Sequence, residues 1–277
     1  MYESALIAVD FSRSSLPMLK RLDYMERMGV KRVVLVNVKP TATGSGGEGS
    51  AKLSTAERKE KLEEHADVLR DRFTVETRIV SGDPVEQILT LASDEGMHLI
   101  VTGSRAHHPA KRLLIGSTAS GLVRKATLPV LLEDVRDADE GEDKVPRRDG
   151  PTLLATDGSS AAEAAEDHAL QMLGKDKHLR VITVSSSNDI ARAWRRLERI
   201  TQKAADADVR LIRSVDLGRA EQVIPQIAAA ERASLIITGR RGREGVRGVR
   251  LGSTAEYICR NANRPVLLVP GTEQDRS

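Results

Sequence analysis

The sequence contains little cysteine and few aromatic residues, and both shortages narrow what the protein can be. Cys259 is the only cysteine among 277 residues, which excludes an intrachain disulfide and favours a reducing compartment. Aromatic residues make up 2% of the chain, so valine, isoleucine, leucine and alanine must form the core. Such a composition suits parallel strands covered by helices better than a sandwich built on aromatic pairs.

Long apolar runs and a strong net charge are also missing. No run of 18 apolar residues occurs, and the first residues lack a basic start followed by a long apolar stretch. We therefore expect a cytoplasmic protein without a membrane segment. A formal net charge of +3 is too small to indicate nucleic acid, and the few aromatic residues offer no evident base-stacking platform.

Short apolar runs alternate with helical segments along the first half of the chain. The helical segments cover Leu16–Met28 and residues 54–72, and a third follows the turn at Gly82. Strands and helices alternating at this spacing predict an α/β domain with a mainly parallel sheet. The predicted strands are Ser4–Asp10, Arg32–Val38, Val75–Val80, His98–Thr102 and Leu128–Asp134.

The same landmarks occur a second time in the same order. Asp10 corresponds to Asp157, an offset of 147 residues, and Gly103 corresponds to Gly239, an offset of 136 residues. The second copy is therefore 11 residues shorter between these landmarks, and the glycine-rich segment 41–50 is the obvious place for the difference. An internal duplication follows. Further pairs are Val38 with Val184, Gly82 with Gly218, Gly116 with Gly252, and Pro129 with Pro265.

The duplication predicts two domains with a connecting segment between them. We place the first domain at residues 1–134 and the second at residues 151–277. Residues 135–150 are acidic and then basic without apolar periodicity, which indicates an exposed linker.

A glycine-rich and arginine-rich loop follows the fourth predicted strand of the second copy. Residues 238–254 read TGRRGREGVRGVRLGST, with the spacing G-x2-G-x9-G-S. Glycines let backbone amides approach phosphate oxygens, and a helix beginning at Ser253 adds the positive end of its dipole. This spacing, together with five arginines, favours anion binding over glycines that only permit tight turns. The arginines are Arg240, Arg241, Arg243, Arg247 and Arg250.

Asp157 ends the first strand of the second copy and should face this loop. The carboxyl ends of parallel strands lie on one edge of the sheet, and a ligand crevice opens where the strand order reverses. A carboxylate there can bind a metal ion or a ribose and phosphate. It can equally cap the helix that starts near Ser159–Ser160, and the sequence leaves both interpretations open.

These residues resemble the universal stress protein family, and the resemblance covers both copies almost end to end. Nucleotide-binding members carry G-x2-G-x9-G-[ST] after the fourth strand and an aspartate closing the first, and the second copy has both. The resemblance implies two Rossmann-like α/β domains, each a five-stranded parallel sheet of order 3-2-1-4-5 flanked by helices, with ATP in the crevice. Asp157 would lie near the phosphates or a Mg²⁺ ion. The matching positions are Ala155 and Val184 for the base and sugar, and Gly239, Gly242, Gly252, Ser253 and Thr254 for the phosphates.

The resemblance also implies how the copies assemble. Family members pair through their last strands, so Pro129–Glu133 and Pro265–Val269 would join the two copies into an intrachain pseudo-dimer. A homodimer is a further expectation, whereas nucleic acid and membrane are not expected partners.

The first copy departs from the pattern at one position. Gly103, Gly116 and Ser117 are in place, but Ala106 stands where the second copy has its middle glycine. If that position needs a positive φ, alanine costs about 1–2 kcal/mol, and its methyl group would also obstruct the approach to phosphate. We therefore expect weak or absent nucleotide binding in the first copy. The neighbouring His107–His108 pair indicates an ordinary exposed loop and no metal site.

Other catalytic motifs are absent from the sequence. No lysine precedes Ser253 as in a P-loop, no G-x-G-x-x-G follows a first strand, and no serine lies in a nucleophile elbow. The leading hypothesis is therefore an ATP-binding stress-response regulator or adaptor, with nucleotide mainly in the second domain. One alternative is a slow ATPase or autophosphorylating enzyme, with Asp157 holding Mg²⁺ and Ser253 or Thr254 near the transferred phosphate. Another is a dimerisation scaffold that binds no nucleotide.

Overall fold

The computed structural model describes most of the chain as two compact units. Residues 1–122 with 130–145 form the first domain, and residues 123–129 with 146–277 form the second. The described residues are 2–22, 24–39, 53–104, 115–135, 150–173, 178–186, 189–242 and 251–271. The predictions for segment 41–50, Ala106, His107–His108, most of the linker, Arg243, Arg247 and Arg250 fall outside them.

Strands and helices alternate in the first half of the chain as the sequence predicts. The described strands pair in parallel in the order β3-β2-β1-β4-β5, which confirms the predicted doubly wound arrangement. The elements are β1 (Ser4–Ala8), α1 (Ser15–Lys20), α2 (Tyr24–Arg27), β2 (Arg32–Lys39), α3 (Thr55–Arg70), β3 (Thr74–Ser81), α4 (Pro84–Asp94), β4 (Leu99–Gly103), α5 (Ser117–Lys125) and β5 (Val130–Glu133).

The second half repeats this arrangement with the same strand order. Its described strands pair in parallel as β8-β7-β6-β9-β10, so β6 lies between β7 and β9. The elements are β6 (Thr152–Ala155), α6 (Ser160–Leu173), β7 (His178–Ser185), α7 (Ile190–Arg195), α8 (Glu198–Asp206), β8 (Arg210–Leu217), α9 (Ala220–Ala230), β9 (Leu235–Gly239), α10 (Ser253–Asn261) and β10 (Val266–Val269).

The central strands are buried on both faces, as their unbroken apolar sequences indicate. All five residues of β9 are buried, and the leucines of β6 have no exposed surface. Cys259 is buried on α10, and burial raises the pKa of its thiol, which agrees with a structural role for this residue. No helix in the described part of the chain is long and apolar enough to cross a membrane.

One predicted helix is broken in the structure. The sequence predicts a single helix over Leu16–Met28, but α1 ends at Lys20 and α2 begins at Tyr24. The amides of Arg21 and Leu22 bond to carbonyls three residues earlier, which tightens the chain into a turn. This prediction was wrong because apolar spacing alone does not reveal such a turn.

Candidate functional site

A cavity of about 560 Å³ lies at the carboxyl ends of the central strands of the second domain. Ala155 at the end of β6 pairs with Ile182 of β7 on one side and with Thr238 of β9 on the other. The strand order reverses at this point, which is where crevices open in doubly wound sheets. All eight residues predicted for the site line this cavity, namely Ala155, Asp157, Val184, Gly239, Gly242, Gly252, Ser253 and Thr254.

The two oxygens of the Asp157 carboxylate face different parts of the site. Oδ1 accepts hydrogen bonds from the backbone amide of Ser159 at 3.0 Å and from its hydroxyl at 2.6 Å. Oδ2 lies beside Gly242, since a Cβ added to that glycine would be 2.8 Å from it. One oxygen therefore shapes the turn before α6, and the other faces the glycine loop. The helix-start interpretation left open by the sequence accounts for Oδ1 alone.

The turn that carries Asp157 also depends on a glycine that the sequence analysis did not select. Gly158 has φ +67°, and a Cβ there would lie 2.5 Å from the carbonyl oxygen of Arg196. The left-handed backbone favours glycine at this position, and the close contact with the Arg196 backbone leaves no room for a side chain. The aspartate-glycine pair after a short apolar strand is the sequence signal that could have found it.

Gly242 is needed for close approach and not for a special backbone conformation. Its φ does not fall in the left-handed region, in contrast to Gly158 and Gly218. Of the two reasons considered for a glycine here, positive φ is therefore wrong. The crowding by Asp157 supplies the physical reason instead.

The start of α10 lines the cavity. The amide of Gly252 donates to the carbonyl of Arg240 at 3.0 Å, and Gly252 is the N-cap of α10 without a side-chain cap. Ser253, Thr254 and Ala255 in the first turn all line the cavity. An uncapped helix start presents amides and the positive end of the helix dipole, which favour an anion.

Apolar and charged residues complete the lining of the cavity. Ile182, Val184 and Ile224 contribute apolar surface, while Ser185 and Ser186 continue the end of β7. The charged residues from this part of the chain are Arg192, Arg196, Arg219 and Glu221. An apolar slot with polar groups at its ends is typical of small-molecule sites, and the volume falls within their usual range of about 300–1,000 Å³.

A partly buried ionic network holds the turn that carries Asp157, and the sequence analysis missed it. The Thr156 hydroxyl donates to Oε1 of Glu166 at 2.6 Å, and Nε of Arg199 donates to Oε2 at 3.0 Å. Burial raises the pKa of the Glu166 carboxyl, and the bonds from Thr156 and Arg199 oppose that rise. The available signal was a lone glutamate on the alanine-rich, core-facing side of α6.

Magnesium fits this site only together with a phosphate ligand. Asp157 is the carboxylate facing the glycine loop, and the described residues contain no group of three or more histidine, cysteine, aspartate or glutamate side chains that could hold a metal. Mg²⁺ is commonly held by one or two carboxylates together with substrate phosphates and water. Asp157 therefore suits a magnesium ion that arrives bound to a nucleotide.

The fold and the cavity together define a class of protein, a duplicated doubly wound α/β chain with a glycine-lined crevice. The family model described as the universal stress protein family matches residues 1–133 and again residues 151–270. The chain belongs to the universal stress protein family, as the sequence resemblance implies.

Individual relatives agree with this assignment. The chain is 29% identical over 212 residues to a universal stress protein of Mycolicibacterium smegmatis, covering 71% of this chain and 69% of the relative. It is 30% identical over 153 residues to universal stress protein MJ0577 of Methanocaldococcus jannaschii, covering 48% of this chain and 94% of the relative. A solved universal stress protein from Archaeoglobus fulgidus superposes with a TM-score of 0.77 at 23% identity, covering 98% and 100% of the two chains, and shows the shared fold.

Proposed function

We propose that the second domain binds ATP, carried with Mg²⁺, and that the protein acts as a stress-response regulator or adaptor. The observation that carries this proposal is that one cavity is lined by Asp157, whose Oδ2 lies beside Gly242, and by the start of α10, which has no side-chain cap. The backbone amides and the helix dipole would bind the phosphate groups, and the Asp157 carboxylate would hold the Mg²⁺ ion. The apolar slot beside Ala155 and Val184 suits the base and sugar.

The proposal assigns nucleotide mainly to the second domain. At the position of Gly158 the first domain has Phe11, a bulky side chain held at φ 59°. Gly103 of the first domain is approached by Val135 and Met18, at 3.5 Å and 3.7 Å from where a Cβ would be. These apolar groups at the matching strand end, together with Ala106 in the sequence, support weak or absent binding there.

Mass spectrometry of ligand released from freshly purified protein tests the identity of the nucleotide. We expect an adenine nucleotide at one equivalent per chain, and calorimetric titration of stripped protein with Mg-ATP should fit one site. Two equal sites per chain would overturn the assignment to the second domain. No bound nucleotide and no binding in the titration would overturn ATP binding and leave the scaffold hypothesis.

A slow ATPase or autophosphorylating activity is the second candidate function. It is favoured by Ser253 and Thr254, whose hydroxyl-bearing side chains line the same cavity as Asp157. The expected signature is slow phosphate release or phosphoprotein that disappears in Asp157→Ala and Gly242→Val. Bound ATP without turnover over many hours would exclude this candidate and leave a regulator in which ATP acts as a conformational ligand.

The assembly and location follow the family resemblance. The intrachain pseudo-dimer through the last strands, a homodimer and a cytoplasmic location are part of the proposal. Analytical ultracentrifugation with and without Mg-ATP checks the homodimer.

A further inference from the structure

Two helices hold the turn of residues 156–159, through side chains that do not line the cavity. From α6, Glu166 accepts the Thr156 hydroxyl at 2.6 Å, and the same hydroxyl oxygen accepts the Gly158 amide at 3.1 Å. From α8, Arg199 donates through one terminal nitrogen to the Ser159 carbonyl at 2.9 Å and pairs with Glu166 at 2.9 Å. Both ends of the turn are therefore tied to one ion pair.

Burying the carboxylate of this ion pair costs more free energy than burying an apolar side chain at the same place. The Glu166 side chain has no exposed surface, while that of Arg199 is 32% exposed. Removing a carboxylate from water costs free energy that its partner only partly returns, and apolar replacements of such pairs are often neutral or stabilising. The network therefore calls for an explanation other than stability.

The first domain shows that the fold forms without the contact between Thr156 and Glu166. At the offset of 147 residues, Thr156 corresponds to Val9 and Glu166 corresponds to Leu19. Val9 is 6% exposed and Leu19 is fully buried, so these two apolar side chains cannot form the bond that joins Thr156 to Glu166. The Val9 carbonyl instead accepts a hydrogen bond from Nδ2 of Asn37 at 2.8 Å. The bond between a threonine hydroxyl and a buried glutamate is therefore found at this place in the second domain, whose glycine loop is complete, and not at Val9 and Leu19 of the first.

We infer that Glu166 and Arg199 are positioning residues that fix the Asp157 turn for nucleotide binding, an inference that rests on the proposed function. Arg199 and Thr156 fix the backbone of the turn, and Ser159 then orients Asp157 by two bonds to Oδ1. Oδ2 is thereby held beside Gly242, where it would hold the metal ion of a bound Mg-nucleotide. Neither Glu166 nor Arg199 is among the cavity-lining residues, so they act through the turn.

The test replaces the network with the residues of the first domain. Thr156→Val combined with Glu166→Leu should lower the affinity for Mg-ATP about tenfold, which is more than the loss of stability explains; the denaturation midpoint should fall because Arg199 keeps its charge without the Glu166 carboxylate. In the nucleotide-free protein, hydrogen exchange at the amides of Gly158 and Ser159 should become faster. Glu166→Gln keeps an acceptor for the Thr156 hydroxyl and should recover most of the affinity.

Glu163→Leu is the matched control. Glu163 also lies on α6 and pairs with Lys203 of α8 at 2.7 Å, but none of its bonds reaches the turn. If the network merely docks α6 on α8, both variants should lower stability and affinity together. We expect the control to keep wild-type affinity and wild-type exchange at the two amides.

The outcomes separate this inference from the proposed function. Wild-type protein that binds Mg-ATP, with a double variant that binds equally well and exchanges equally slowly, would overturn the positioning role and leave ATP binding intact. A double variant that loses affinity only in proportion to lost stability would also overturn it. Wild-type protein that does not bind Mg-ATP would overturn the proposed function, whereas the exchange measurement would still report whether the network orders the turn.

Discussion

The contact between Gly242 and Asp157 makes Gly242→Ala a sharp test of the site. The added Cβ would lie 2.8 Å from Oδ2, whereas ordinary van der Waals contact begins at 3.4 Å, so the two groups must separate by about 0.6 Å. The Asp157 carboxylate cannot rotate freely, because Oδ1 accepts two hydrogen bonds from Ser159. The substitution should therefore displace the carboxylate or the loop from the arrangement that the phosphates require.

The size of the effect follows from the bonds that must loosen. Each net hydrogen bond contributes about 0.5–1.5 kcal/mol. Loss of roughly one such bond, about 1.4 kcal/mol, corresponds to about a tenfold weaker affinity for Mg-ATP. We expect a smaller change in the free energy of unfolding, about 1 kcal/mol or less, because the backbone at Gly242 does not need glycine for its φ.

A double-mutant cycle measures whether Asp157 is the cause. In an Asp157→Ala background the methyl group of Gly242→Ala has no carboxylate to meet, so its cost in unfolding free energy should vanish. In an Asp157→Asn background a side-chain atom remains at the same place, and the cost should persist. Isothermal calorimetry and chemical denaturation of the four proteins of the cycle, and of the Asn series, provide the two readouts.

Gly103→Ala serves as the control at the matching strand end of the first domain. Its added Cβ would lie 3.5 Å from Val135, an ordinary contact, so we expect wild-type affinity at the second-domain site. Equal effects of Gly242→Ala in the wild-type and Asp157→Ala backgrounds would refute the reasoning, because the crowding would then not involve the carboxylate.

Two further predictions concern a buried histidine and a backbone contact. Burial is the main cause that lowers the pKa of His65, which is 5% exposed, so the folded domain favours the neutral ring. Its contribution to stability is complete above about pH 6.5, the unfolded value, and is lost as pH falls from there through the lowered folded pKa, by about 1.4 kcal/mol in total for each unit by which the pKa is lowered. Denaturation at pH 7.5 and 5.5 should show a weaker pH dependence for His65→Asn, which retains a donor for the Lys61 carbonyl, and an unchanged dependence would contradict this. Gly158→Ala would place a Cβ at a left-handed φ and 2.5 Å from the Arg196 carbonyl oxygen. The free energy of unfolding should therefore fall by about 2 kcal/mol or more. A near-neutral result in chemical denaturation would show that the turn relaxes.

The strand order and the positions of Ala155 and Val184 came from the family resemblance, whereas the sequence patterns themselves determined the α/β class, the duplication, and the pairing of Asp157 with the glycine loop. Those features depend on local patterns, because apolar runs, glycine spacing and an aspartate at a strand end keep their meaning wherever the chain places them. Parallel sheets then gather the strand ends on one edge, so residues as distant as Asp157 and Gly252 could be expected together.

Only the tertiary structure decided why particular residues are needed. The Asp157 carboxylate lies where a side chain at position 242 would begin, and no sequence pattern shows that distance. Glutamate usually lies on the exposed face of a helix, yet the packing of α6 on the sheet buries Glu166 against Thr156 and Arg199. Such contacts join residues whose separation in the sequence carries no periodic signal, so they arise only when the helices pack.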